Sequence, residues 1–268
     1  MRLFHICTIV NNQAQYQAMI QSFESAGFDE KNVRYTMLDN CENNKYEPYS
    51  SIRRCMSETA EPYLIFCHQD LLANQGHGIG QLKKAIEELD ELDSSWAVAG
   101  NAGVNGKFTT VAKITDRYKT GANKVKLPQK VHSLDENFLI FNQKNTFTFN
   151  QCELRGFHFY GTELCLSAIE KSLNAYVIDF HLEHLGRGAM EEDFYSLRQQ
   201  CQQAWGHRFR FCFIQTTTNT VFFSTKLDYQ FLPLPEKTVA FFLKFRPVLR
   251  RLKLLYFVTP KKIKLINK

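Results

Sequence analysis

The sequence predicts an α/β fold: a mostly parallel sheet with helices on both faces, extended at the C-terminus by a basic amphipathic segment. Three observations predict it. Apolar runs alternate with helix-period segments through the first hundred residues at roughly the spacing of strand–helix–strand units. The run YLIFC (63–67) reads as a fully buried strand and breaks abruptly into His68, Gln69 and Asp70. The charge is also split along the chain. From Lys237 to Lys268 there are ten basic residues and no acidic one, whereas residues 1–236 carry 23 Lys/Arg against 27 Asp/Glu.

LFHICTIV (3–10) is the first predicted strand, followed by polar NNQ. Tyr16, Met19, Ile20 and Phe23 then recur at i, i+3, i+4 and i+7, with Gly27 where a helix stop is expected. VRYTML (33–38) is the second strand and ends in Asp39 and Asn40. A polar loop leads into a short helix with Ile52, Cys55 and Met56 inward, and then to YLIFC. Ile79, Leu82, Ala85, Ile86 and Leu89 mark another amphipathic helix, and WAVAG (96–100) the fourth strand. The second half is more mixed. TTVAKI and QKVHSLDENFLIFN contain strands, YGTELCLSAIEKSL reads as a helix, AYVIDF as a strand and EEDFYSLRQQCQQAW as a helix.

Composition narrows the function. At 268 residues, 44% hydrophobic and 22% charged, the chain is ordinary globular protein. No apolar run reaches about 18 residues, and the N-terminus lacks the features of a signal peptide, so a cytoplasmic protein is expected. The eight cysteines include no CxxC pair, which favours reduced, mostly buried thiols over zinc ligands or disulfides. A mildly acidic body argues against nucleic acid as a partner. There is no P-loop, and NNQAQY after the first strand contains no glycine, which argues against nucleotide triphosphatases and dinucleotide-dependent dehydrogenases.

Acidic and imidazole groups gather at the carboxyl ends of the predicted strands, the edge where open α/β sheets bind ligands. They are Asp39, His68, Asp70, Asp135, Glu163, His181 and His184. Each alone has a plainer reading. Asp39–Asn40 is a good turn pair, and Glu163 sits in the first turn of a helix, where a carboxylate is favoured. As a group they suit a divalent metal with a phosphate ligand. Asp70 offers a hard oxygen to Mg²⁺ or Mn²⁺, which keep substrate oxygens and water in their shell. A second carboxylate, with Glu163 in a fitting place, would deprotonate an incoming hydroxyl.

In their order, CTIVNN, MLDN, YLIFCHQD, LDENFLIF, FHFYGTELCL and HLEHLGRG resemble the GT-A (Rossmann-like) nucleotide-sugar glycosyltransferases over about residues 3–210. More narrowly they are similar to a family-two-like bacterial group that writes the DxD metal motif as HQD. The resemblance implies an inverting, metal-dependent hexosyltransferase that uses Mn²⁺ or Mg²⁺ and a nucleotide-sugar donor. It assigns Asp39 to the base or ribose, near Asn11 and Asn12, and Asp70 to the metal and donor diphosphate. His68 falls where the first Asp of DxD usually stands, and the resemblance gives it ribose or phosphate. Glu163 takes the place of the catalytic base, commonly Asp; His184 approaches the diphosphate or metal; Asp135 lines the sugar pocket. Because His and Glu replace Asp, a GT-A-like module that binds nucleotide or glycan without catalysis is the alternative.

Residues 1–230 are expected to form the transferase domain and 231–268 a separate segment. In the latter, Phe241, Phe242, Phe245, Leu249, Leu252 and Leu255 make an apolar stripe among basic residues, and Pro247 breaks or kinks any helix. Such a segment reads as an anchor on an anionic membrane surface, or as a helix docked on the domain. The anchor would suit a glycan or lipid-linked acceptor in bacterial surface polysaccharide or lipooligosaccharide synthesis at the inner face of the cytoplasmic membrane.

Overall fold

The first apolar run forms β1 (Phe4–Val10), and Asn12 starts the helix after it by accepting the N–H of Gln15 at 3.1 Å. The computed structural model describes residues 2–116, 119–120, 125–186, 192–206, 208, 212–218 and 220–224. α1 (Gln13–Ser25) buries Tyr16, Met19 and Phe23 on its apolar stripe. β2 (Val33–Asp39) and α2 (Pro48–Glu58) follow, the helix opened by Glu47, whose carboxylate accepts the N–H groups of Tyr49 and Ser50. β3 (Tyr63–Cys67) is buried at every position. Next come β4 (Leu71–Ala73), α3 (Ile79–Leu92) and β5 (Trp96–Gly100).

Between β5 and the next long strand the chain runs through short strands: β6 (Ala102–Val104), β7 (Thr110–Ala112), β8 (Ile114–Asp116), β9 (Lys119–Thr120), β10 (Gln129–Val131) and β11 (Ser133–Leu134). β12 (Phe138–Asn142), α4 (Tyr160–Glu170), β13 (Asn174–Val177), β14 (Leu182–His184), α5 (Glu192–Trp205), β15 (Cys212–Gln215) and β16 (Val221–Ser224) complete the described elements.

The main sheet has seven strands in the order β10-β13-β5-β12-β3-β1-β2. β1 runs parallel to β2 and β3, and β5 parallel to β13. β12 is antiparallel to both β3 and β5, and β10 to β13. The sheet is therefore mixed and only partly parallel, which corrects the expectation of a mostly parallel one. Among the described residues no crossover helix joins β5 to β12. The chain leaves at Gly100, builds short strands beyond the carboxyl edge, and re-enters there, with Phe138 opposite Cys67.

Helices cover both faces, as expected, because alternate residues of each strand point to opposite sides. Leu64 and Phe66 join the core with Tyr49, Ile52 and Cys55 of α2, Leu164 and Cys165 of α4, and Leu197 of α5. Tyr63, Ile65 and Cys67 join the core with α1 and α3. Burying a Leu or Phe of this kind contributes about 1.5–3 kcal/mol, so the centre of the sheet holds its carboxyl edge rigid. The seven cysteines whose side chains are described are free thiols. Among the described residues no helix is long and apolar enough to cross a membrane. The C-terminal segment 231–268 lies outside the described residues.

Candidate metal and nucleotide site

β3 ends at Cys67, and the next three residues turn across the carboxyl edge of the sheet. His68 donates its backbone N–H to the carbonyl of Asn137 at 2.9 Å, so the loop before β12 lies beside HQD. After the turn, Asp70 leads into β4, which pairs with β14 so that His184 faces Leu71. The chain thereby brings together residues more than a hundred positions apart. One ligand atom from each of His68, Asp70 and His184 falls within 4.8 Å of the others. Asp70 Oδ2 is 3.5 Å from His184 Nε2, and Asp70 Oδ1 is 4.0 Å from His68 Nδ1. Burial raises the Asp70 carboxyl, but the His184 hydrogen bond and the adjacent His68 outweigh it and hold the group below the ordinary range. Burial lowers His68, against the opposing pull of Asp70.

Two neighbours orient the cluster. Tyr160 gives its hydroxyl proton to the Glu136 carbonyl at 3.1 Å, so its 3.0 Å contact with His68 Nε2 requires an N–H there. That tautomer leaves the lone pair on Nδ1, the nitrogen facing Asp70, as a metal ligand requires. Leu185 donates its N–H to the Asp70 carbonyl at 3.0 Å. At Gly186 a Cβ would overlap Asp70 Oδ2 and lie 3.2 Å from His184 Nε2, so only a bare backbone passes. Two imidazoles and a carboxylate in this cradle fit a divalent cation. The imidazoles suit Mn²⁺ better than Mg²⁺, which takes oxygen ligands.

Gln69, which the sequence reading passed over, ties this cluster to the first loop. Its Oε1 accepts the backbone N–H groups of Asn11 and Asn12, both at 2.9 Å, and its amide donates to Asn11 Oδ1 and to Gln15 Oε1. Asn11 thus stands next to HQD. Asp39 ends β2 opposite Val10, one strand further out. It is exposed, and hydrogen bonds from Cys41, the backbone N–H among them at 2.9 Å, hold its carboxyl below the ordinary range.

Asp135 and Glu136 occupy the loop before β12, close enough that Asp135's charge acts on His68. Asp135 Oδ1 accepts the Asn137 N–H at 3.2 Å. Glu163 is not one of the three residues grouped at HQD. It is 1% exposed, its Oε1 accepts the Ser167 hydroxyl at 3.0 Å, and its Oε2 accepts the Asn150 N–H at 3.3 Å. Burial pushes its carboxyl up to about 8, despite those two bonds. His181 lies in a neighbouring group, its Nε2 2.8 Å from Thr115 Oγ1 and its N–H on His77 Nδ1 at 3.0 Å.

No family model matches this chain. Among solved structures, a crystal structure of S. aureus TarS is similar at a TM-score of 0.49 and 13% identity, over 75% of this chain and 39% of that one. TarS 1–349 in complex with UDP-GlcNAc is similar at 0.49 and 12% identity, over 76% of this chain and 66% of that one. The chain thus spans only about two-fifths of the first of these, and scores at this level establish neither fold nor activity. A protein from Fuscovulum blasticum, "ATP synthase subunits region ORF 6", is 36% identical over 210 residues, which are 76% of this chain and 83% of that protein. At that identity and coverage, the chain belongs to the family of the Fuscovulum blasticum ORF 6 protein.

Proposed function

We propose that this chain is a metal-dependent, inverting glycosyltransferase that moves a sugar from a nucleoside-diphosphate sugar to a hydroxyl of a glycan or lipid-linked acceptor. The observation that carries the reading is the convergence of His68, Asp70 and His184 at the carboxyl edge of β3. Beside them is a loop, Asn11–Asn12, that Gln69 pins in place. A divalent cation held by Asp70 and the two histidines would neutralise the charge on a departing diphosphate. The chain's own part is to hold that diphosphate against HQD, with the nucleoside over Asn11 and Asp39 and the sugar toward Asp135. Displacement at the anomeric carbon then needs a carboxylate to take the acceptor's proton.

The resemblance assigns that proton to Glu163, and the burial of Glu163 is what favours the second reading, a module that binds donor or glycan without turning it over. Calorimetry separates these from a site with no donor. UDP-glucose, UDP-galactose, UDP-N-acetylglucosamine and dTDP-rhamnose are titrated into the wild type and Asp70→Ala, with and without Mn²⁺. Mn²⁺-dependent binding of a donor that Asp70→Ala abolishes supports the reading. Absence of binding to any of them removes it. Binding without release of nucleoside diphosphate from the donor, whichever acceptor is offered, leaves the module.

A further inference from the structure

β14 carries His184 but pairs with β4 over only three residues, so its position depends on what closes that pair at each end. At the ligand end, Leu185 donates its N–H to the Asp70 carbonyl at 3.0 Å. At the other end the closing group is a side chain. His77, in the turn after β4, accepts the backbone N–H of His181 on its Nδ1 at 3.0 Å. The ring of His181 meets Thr115 Oγ1 through Nε2 at 2.8 Å, and Thr115 lies on β8, the parallel neighbour of β14 on its other side. The turn is itself fixed. His77 donates its N–H to the Asn74 carbonyl, and Ile79 donates to the Ala26 carbonyl, both at 2.9 Å. The two imidazole rings stand 5.7 Å apart, with the Phe180 ring 6.2 Å from that of His77. Lys113 and Asp179, an ion pair at 2.8 Å, are the charged groups that act on both rings.

An imidazole nitrogen that accepts an N–H holds a lone pair, so the neutral His77 ring carries its proton on Nε2. A second proton must go to Nδ1, where it sets donor against donor and removes the bond to His181. His181 differs, because its charged form keeps an N–H for the Thr115 hydroxyl. Resting on the metal-site reading above, we propose that His77 is a positioning residue for His184. Neutral, it holds β14 in register against β4; protonated, it releases that end of the strand, and the cation is held less tightly in acid. Burial lowers His77, with Lys113 adding to it and Asp179 opposing, so the change falls below the ordinary 6.5. His181 is also lowered by burial, and a charge on His77 lowers it further, so the two rings resist being charged together. The folded state therefore binds the His77 proton less tightly than the unfolded chain does. The clamp is complete above 6.5 and is lost as pH falls through the lower folded value.

The test uses the full chain as wild type, His77→Asn and His77→Ala. Asn offers an uncharged amide oxygen at the place of Nδ1, and Ala removes the acceptor. Mn²⁺ affinity is read by calorimetry, and protection of the His181 amide proton from exchange by NMR of the metal-free protein. At about pH 7.5, His77→Ala is expected to bind Mn²⁺ about 3–10-fold more weakly than the wild type, and His77→Asn as tightly. At about pH 5 both the wild type and His77→Asn weaken as His68 and His184 take up protons, but the wild type falls about 3–10-fold further. The His181 amide loses protection in acid in the wild type and keeps it in His77→Asn. Equal affinities of His77→Ala and wild type at the higher pH overturn the proposal. So does an equal acid loss in wild type and His77→Asn, or a wild-type His181 amide whose protection does not change with pH. If His77→Ala does not fold, the comparison of wild type with His77→Asn decides. A wild type that binds no Mn²⁺ at either pH overturns the metal-site reading, and the proposal with it, whatever the amide shows.

Discussion

Asp70 and Gly186 form one unit: the carboxylate occupies the space that a side chain at 186 would fill. Gly186→Ala is therefore expected to displace Asp70 without removing a ligand, and outer changes of this kind typically cost 10–100-fold in metal affinity. A Mn²⁺ titration of the wild type and this variant checks it, and equal affinities would mean that the cradle yields. Glu163 makes a different prediction, on stability. Its folded value, about 8, lies above the ordinary 4.5, so the folded state binds the proton more tightly. Its contribution is fully present below about 4.5 and is lost as pH rises through about 8. Glu163→Gln should flatten the decline in melting temperature between pH 5 and about 9. An unchanged decline would place its source elsewhere.

At the level of elements, the turn after β3 gathers the site because the neighbouring strands end where it begins. β1 brings Asn11, β12 brings Asp135 and Glu136, and the pairing of β4 with β14 brings His184. Gln69 is the cross-tie among them. Gln69→Ala removes two acceptor contacts to backbone N–H groups, each worth about 1 kcal/mol. Donor affinity should fall about 5–30-fold while Mn²⁺ affinity is kept, which calorimetry resolves. A matching loss of both would mean that Gln69 supports the metal ligands rather than the nucleotide loop.

At the level of the whole molecule, the ten basic residues from Lys237 onward stand against a body with a net charge of −4. We propose that this segment holds the protein on an anionic surface, with each Lys or Arg near it contributing about 1 kcal/mol. The chain should co-sediment with phosphatidylglycerol-containing vesicles, not with phosphatidylcholine alone, and should release as salt rises. Salt-insensitive binding, or none, would favour docking on the domain.

Much of this was legible in the amino-acid sequence. The expected strands at 3–10, 33–38, 63–67 and 96–100 form within a residue of those bounds, and the helices follow their apolar stripes. Local period and turn residues carry that information, because a strand or helix buries whatever face its spacing makes apolar. HQD was visible for the same reason, as a polar break after a continuous apolar run. Tertiary structure alone decided the rest. The antiparallel course of β12 depends on where a long excursion re-enters the sheet, and no local period records that. β4 and β14, three residues each, are too short to show one, yet their pairing sets Asp70 against His184. Gln69 and Tyr160 matter through partners far along the chain. Glu163, in the first turn of α4, reads in the sequence as an ordinary helix-start carboxylate. Only packing shows that it is bonded into the interior by Ser167 and Asn150, because burial is a property of the whole fold.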